Sequence, residues 1–237
     1  MRASVGVPRT LVLAALLAGC ASTLTLRPVP LSTPAAASAD NAATWYRQAA
    51  AAGSEVLVID PEKSLIAVTV RRGGALARLG HDHVVASRGV TGFAAPGEGR
   101  ADFSFRLDQM TVDEPALRRE AALDTAPSEA AIAATRTNML TRVLEADKFA
   151  LVTLHAAGAI GDGQAIRLTI TLHGVTRTVA VPTRVERSVD GIIASGALQL
   201  RQSDFGITPM SVMAGAMTVL DPMELRFRIV ARAARSW

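Results

Sequence analysis

The chain has 237 residues, 49% hydrophobic, 19% charged and 4% aromatic, which excludes a disordered or collagen-like polymer and suits one domain, or two small ones. Its formal net charge is +4 and its pI about 10.1. The basic residues include only two lysines, Lys63 and Lys148, and the arginines are scattered over every segment without interleaved aromatics, which argues against a nucleic-acid partner. No apolar run reaches the ~20 residues of a spanning helix, so a polytopic helical membrane protein is excluded. Six Phe, two Trp and one Tyr are few for a core of this size. It has to be filled with aliphatics and alanine, or left partly open.

At the N-terminus, Arg2 and Arg9 precede the short apolar run Leu11–Leu17, followed by Leu17-Ala18-Gly19-Cys20. A charged region, an apolar stretch of this length and small residues before a cysteine are expected to be a signal peptide over residues 1–19. The end of that run resembles a bacterial lipobox, which implies acylation of Cys20, the only cysteine. Several acyl chains supply more than the two signals that stable membrane attachment needs. Ser22 in place of an acidic residue implies the outer membrane, facing the periplasm. Losing residues 1–19 removes two arginines and no acid, so the charge falls to about +2. With one cysteine no internal disulfide forms, and the domain is held by packing alone. Residues 20–54 are rich in Ala, Pro and Ser and read as a tether. Within them, residues 41–52 are expected to form a short helix whose Trp45 and Tyr46 suit either a membrane interface or the domain surface.

From about Glu55 the apolar residues alternate with period two, the pattern of half-buried strands. Ile66, Val68 and Val70 form one such set. Phe103, Phe105 and Leu107 form a second. Ile166, Leu168, Ile170 and Leu172 follow, then Val179, Val181, Thr183 and Val185, then Leu198 and Leu200. Met223, Leu225, Phe227 and Ile229 close the series. Weaker strands are expected at 55–60, 83–91 and 149–156, giving eight or nine, with turns at Gly161-Asp162-Gly163, Gly174 and Asp190-Gly191. A single helix is expected between Pro127 and Ala146, apolar mainly on the side of Ile132, Met139, Leu140, Val143 and Leu144. One-sided alternation implies antiparallel sheet, and eight strands with one side helix imply a barrel, or a sandwich, able to hold one small ligand.

Five segments carry a family resemblance: Asp60-Pro61-Glu62-Lys63-Ser64 before the first long strand; Arg88-Gly89-Val90-Thr91-Gly92-Phe93; Asn138-Met139-Leu140 through Ala146-Asp147-Lys148-Phe149; Leu168-Thr169-Ile170-Thr171-Leu172-His173-Gly174-Val175-Thr176-Arg177; and Arg201-Gln202-Ser203-Asp204-Phe205-Gly206-Ile207. In order and spacing, over about 55–234, they resemble the YceI-like, lipocalin-like polyisoprenoid-binding family. The resemblance implies an extended antiparallel β-barrel over 55–237 around an apolar tunnel that holds an isoprenoid lipid or quinone. Its tail would lie on Ile66, Val68, Val70, Phe103, Phe105, Leu107, Leu168, Ile170, Val179, Val181, Leu198, Leu200, Leu225 and Phe227. A tighter, filled barrel is the alternative. The chain departs from the family at Arg78-Leu79-Gly80-His81-Asp82-His83 and at Ala150, which leaves the head-group preference open.

His81, His83 and Arg88 are the expected head-group contacts. In an extended segment His81 and His83 project to one side, which also makes a metal pair, with His155 or Asp82 as a third ligand. His173, before Gly174, reads as a turn residue. Met210, Met213, Met217 and Met223 are adaptable packing over an apolar ligand, or soft ligands for Cu(I). There is no Gly-x-Ser-x-Gly, His-Glu-x-x-His, phosphate-binding glycine loop or CxxC, and no enzyme is expected. The expectation is therefore an envelope lipoprotein that binds a long-chain lipid and has no other cofactor. The alternatives are a metal-binding envelope protein using His81 and His83, and a ligand-free stress or interaction protein.

Overall fold

The structure is a computed structural model that describes residues 34–158 and 165–233. The expected signal peptide, Cys20, the first part of the tether, the Gly161-Asp162-Gly163 turn and Trp237 lie outside the described residues. Thirteen antiparallel segments make one sheet: β1 (Leu57–Ile59), β2 (Leu65–Gly73), β3 (His83–Ser87), β4 (Thr91–Ala95), β5 (Arg100–Arg106), β6 (Thr111–Val112), β7 (Leu151–Ala157), β8 (Ala165–Leu172), β9 (Val175–Pro182), β10 (Arg184–Ser188), β11 (Gly191–Arg201), β12 (Ser211–Val212) and β13 (Met217–Ala233).

The pairing register shows why thirteen segments act as about eight long strands. β1 and β2 both lie along β13, with Ile59 opposite Ala231 and Leu65 opposite Arg228. β3 and β4 run back along β2 and β1, and β5 and β6 run along β4 and β3. Each pair is one strand broken by a local irregularity. The Asp60–Ser64 turn is such a break, and its chemistry explains the residues there. The Val230 carbonyl accepts from the Asp60 N–H at 2.8 Å, and the Val230 N–H donates to Ser64 Oγ at 3.0 Å, so the β13 groups that lose ladder partners are satisfied.

The hydrogen-bonded ring is not closed. β9 pairs with β8, but after Pro182 the same strand continues as β10, which pairs with β11. Proline has no N–H to give a ladder and suits this change of partner. β9 and the second half of β11 are neighbours without a ladder, and the turn Gln202–Phe205 packs against both and against β13. Its Phe205 is fully buried. Gly206 follows at φ +70, a left-handed cap that glycine adopts without strain. At the fork a Cβ on Gly196 would stand 2.6 Å from the Pro182 carbonyl oxygen and 2.8 Å from the Phe227 ring.

Three points correct the expected elements. Helix is not confined to one excursion: α1 (Pro34–Ala51), α2 (Pro115–Glu120) and α3 (Glu129–Asn138) are present, and α3 continues as a π-helical turn, Met139–Val143. The segment read as a tether is helical from Pro34, and Tyr46 is fully buried against the outer wall with Val56 and Ala95. Its hydroxyl donates to Asp102 at 2.8 Å, and Arg100 lies over the Trp45 ring at 4.2 Å. Both rings therefore sit on the domain. The expected strand 83–91 is β3 and β4 with a break at Arg88–Val90, and Leu107 lies in a 3-10 turn after β5 rather than in it.

Gly196→Ala is expected to lower stability by about 1–3 kcal/mol, because the new methyl overpacks a backbone oxygen and an aromatic ring. Urea unfolding of the variant and the parent measures this.

Candidate functional site

The inward faces of the strands surround a cavity of about 500 Å³, inside the ~300–1,000 Å³ range of small-molecule sites. The sheet alternation puts residues of one parity inside: Ile66, Val68, Val70 and Arg72 on β2, Phe103 and Phe105 on β5, and Leu168 and Ile170 on β8. Leu107, Val181, Leu198, Leu200, Leu225 and Phe227 also line the cavity. The barrel is therefore not filled by its own side chains. Val179 is the exception among the expected lining residues. It packs with the buried core but is not on the cavity wall. Sequence reading missed Val152, Leu154 and Ala156 on β7 and Ala94 on β4.

One end of the cavity is bounded by residues 72–83 and 210–219. Leu79 lines it and is also 58% exposed, so this end opens to solvent. Thr135 and Asn138 of α3 and Met139 beyond it line the cavity too. Three of the four grouped methionines, Met210, Met217 and Met223, face the cavity, whereas Met213 is 62% exposed. The Met217 methyl lies 3.4 Å from where a Cβ on Gly80 would be, a packing contact.

His81 and His83 both line this end, with ring centroids 6.2 Å apart. His83 Nδ1 is 2.6 Å from Asp113 Oδ2. The Asp113 side chain is fully buried; its other oxygen accepts from the Val84 N–H at 3.0 Å and from Arg118 at 2.6 Å. Asp113 has φ +58, a strained conformation held by these three partners. Burial opposes its ionisation, but the His83 hydrogen bond, the Val84 N–H and the neighbouring positive charge outweigh it, and the carboxyl sits below its ordinary value of about 3.8. His81 Nδ1 is buried with no hydrogen-bond partner.

The other expected site residues are elsewhere. Arg88 is half exposed and pairs with Glu114 at 2.7 Å; it does not line the cavity. The local reason is that Arg88 lies past the end of β3, at the break before β4, beside the start of α2. His155 faces outward from β7 and bonds Asp102 at 2.7 Å, and Asp82 pairs with Arg71 at 3.3 Å and accepts from the Arg72 N–H at 2.8 Å. Neither joins His81 and His83. Among the described residues no group of three or more His, Cys, Asp or Glu is placed to hold a metal ion. His173 takes φ +52 beside Gly174 at φ +73, the two left-handed positions of a tight hairpin turn, and its ring packs on Phe149 at 4.4 Å.

An antiparallel lipocalin-like barrel, mostly sheet with few helices, that encloses an apolar cavity defines the class of protein. Residues 57–231 match the YceI-like domain, and the chain belongs to the YceI-like family. Among solved structures it is similar to a polyisoprenoid binding domain from Saccharophagus degradans implicated in plant cell wall breakdown, with 12% identity and a TM-score of 0.54 over 76% of this chain and 99% of that one. It is also similar to Burkholderia cenocepacia BcnA, with 14% identity and a TM-score of 0.50 over 73% and 98%. At these identities the likeness is one of fold. No curated protein matches the chain in sequence.

The depressed Asp113 sets a pH dependence. A carboxyl whose folded pKa lies below its unfolded value adds stability above the unfolded pKa, and that stability is lost as pH falls through the folded one. Stability is expected to drop below about pH 4. Asp113→Asn leaves Arg118 buried without its counter-charge, and is expected to cost about 3–5 kcal/mol near neutral pH. It should also flatten the acid limb. Urea unfolding of both proteins over a series of pH values checks both effects.

Proposed function

We propose that the protein binds a polyisoprenoid, or a similar long-chain lipid or quinone, in the barrel cavity. The observation that carries this reading is the aliphatic cavity left open inside the barrel. A hydrocarbon chain gains about 0.8 kcal/mol per buried CH₂ there, before the cost of ordering it. The family membership and the polyisoprenoid binding in the description of the Saccharophagus degradans domain support the same reading. The chemistry at the site is recognition of an apolar chain: the cavity wall is mostly aliphatic, and Arg72 on it pairs with Asp124.

Native mass spectrometry of gently purified protein is expected to show a bound lipid, or uptake of an added isoprenoid. Ala194, on the cavity wall, offers a second handle. Ala194→Phe should fill part of the space and reduce retention of long chains at least about tenfold, the effect of losing roughly two buried methylenes. A protein that is empty and takes up no isoprenoid would overturn the reading.

We also propose that Cys20 is acylated and that the protein is an outer-membrane lipoprotein facing the periplasm. The apolar run ending in Leu17-Ala18-Gly19-Cys20 supports this. Cys20→Ala is expected to move the protein from the membrane to the soluble fraction of the envelope, as cell fractionation would report. Retention of the variant at the membrane would contradict the anchor.

A further inference from the structure

Three of the four large hydrophobic side chains that are exposed among the described residues, Leu79, Met213 and Leu220, stand on two adjoining segments at the open end of the cavity. The fourth, Val189, is at the other end of the barrel, in the turn between β10 and β11. The two segments pack on each other. The Leu76 N–H donates to the Ala216 carbonyl at 2.8 Å, and the Leu220 side chain lies over Gly73. A Cβ on Gly74 would stand 2.5 Å from the Ala216 carbonyl oxygen. Met213 and Ala214 both have φ +53, a left-handed conformation that residues with side chains rarely adopt. This strained turn leaves Met213 in water, an arrangement that folding alone does not favour. Ala77, Leu79, Val212 and Met217 of the same segments line the cavity, so the apolar surface continues from the interior onto the rim.

Charge on this rim decides what it fits. Residues 73–80 and 205–220 contain a single charged residue, Arg78. Arg78 is exposed and has no carboxylate partner among the described residues. The charges beside it are matched: Arg71 by Asp82 and Glu224, Arg72 by Asp124, and Asp221, next after Leu220, by Arg201. A second copy of this rim would offer Arg78 no opposite charge, because the rim has no acid. A bilayer with anionic head groups offers both complements at once. Apolar side chains enter the acyl boundary, and a guanidinium on its long stem stays at the level of the phosphates. The chain outside the structure adds to this. Residues 21–33 reach at most about 45 Å, so an anchor at Cys20 holds the start of α1 within that distance of a membrane, where a weak docking face is sufficient.

We propose that the rim formed by residues 74–80 and 212–220 docks the mouth of the cavity onto an anionic lipid bilayer. Leu79, Met213 and Leu220 enter the surface and Arg78 meets the head groups, so that a lipid chain passes between bilayer and cavity without crossing water. This rests on the reading of the cavity as a lipid-chain site.

The test uses the full chain carrying Cys20→Ala, which removes the acyl anchor and the only cysteine. A single cysteine is then introduced by Met213→Cys, or by Val189→Cys at the other end, and labelled with a polarity-sensitive nitrobenzoxadiazole fluorophore. Mixed phosphatidylcholine–phosphatidylglycerol vesicles are expected to shift the emission to the blue at position 213 and leave it unchanged at position 189. Arg78→Gln, an exposed and unpaired position, should weaken binding to these vesicles about fivefold, the effect of one basic residue at an anionic surface. Leu220→Ser should weaken it about tenfold, through lost apolar burial. No shift at 213, an equal shift at 189, or equal affinity for vesicles of phosphatidylcholine alone would overturn the docking surface. A shift at 213 that needs no vesicles and grows with protein concentration would overturn it too, and give the rim to a second copy. Isoprenoid uptake from detergent, followed by native mass spectrometry, separates the two readings. Uptake without docking leaves the cavity standing and removes the surface, whereas docking without uptake removes the cavity reading and the lipid passage with it.

Discussion

Long strands that change partner part-way along wrap one apolar face around a space that its own side chains do not reach across. The backbone ladders, not side-chain interdigitation, hold the walls apart. This has an energetic consequence. At ~24 cal/mol per Å³, a dry void of this size forgoes contacts on the order of 10 kcal/mol, comparable with the net stability of a domain. Satisfied breaks in the strands are therefore essential. Ser64 Oγ and the Asp60 N–H replace lost ladder partners at Val230, Asp113 does so at Val84, and the buried Phe205 packs where β9 and β11 separate.

The same breaks place the polar chemistry. Asp113 follows β6, the short continuation of β5, and this brings its carboxylate to His83 on β3 and to Arg118 on α2. A fold device that ends a strand also holds a histidine of the cavity wall by its Nδ1. On the outer wall, Asp102 has a comparable set of partners in Tyr46, Arg100 and His155, but that set docks α1 and has no access to the cavity. Burial opposes ionisation of Asp102, yet its hydrogen bonds to Arg100, His155 and Tyr46 hold it below its ordinary value. Two similar carboxylate clusters thus have different settings because they lie on opposite faces of one sheet.

Much of the site was legible in the residues. Period-two alternation at 66–70, 103–105, 166–172, 198–200 and 223–229 assigned the inward faces, since side-chain direction in a strand depends only on parity. The His81-Asp82-His83 spacing put two rings on one side for the same reason. Arg88 was misplaced because nothing local shows that Glu114, 26 residues on, draws it outward. Val179 shares the inward parity of Val181 but packs into the core instead of the cavity wall, which parity alone does not distinguish. Asp113 and Arg118 carried no signal, since an acid at a strand end and an arginine on a short helix are ordinary surface residues until the fold buries them. The helix α1 lay in an Ala- and Pro-rich stretch, and its docking depends on Tyr46 meeting Asp102 across 56 residues.

What the sequence determined by itself was therefore local and periodic: antiparallel strands, their inward residues, an aliphatic lining with few rings, and the five segments that mark the family. What only the tertiary structure decided was non-local: that the lining stays apart and leaves a cavity, that the sheet forks at Pro182 and Gly196 instead of closing, and that a buried carboxylate stands behind His83. Alternation is written residue by residue in the chain. Whether two walls meet, and which charge is buried against which, depends on pairing between residues tens to more than a hundred positions apart, which no local pattern encodes.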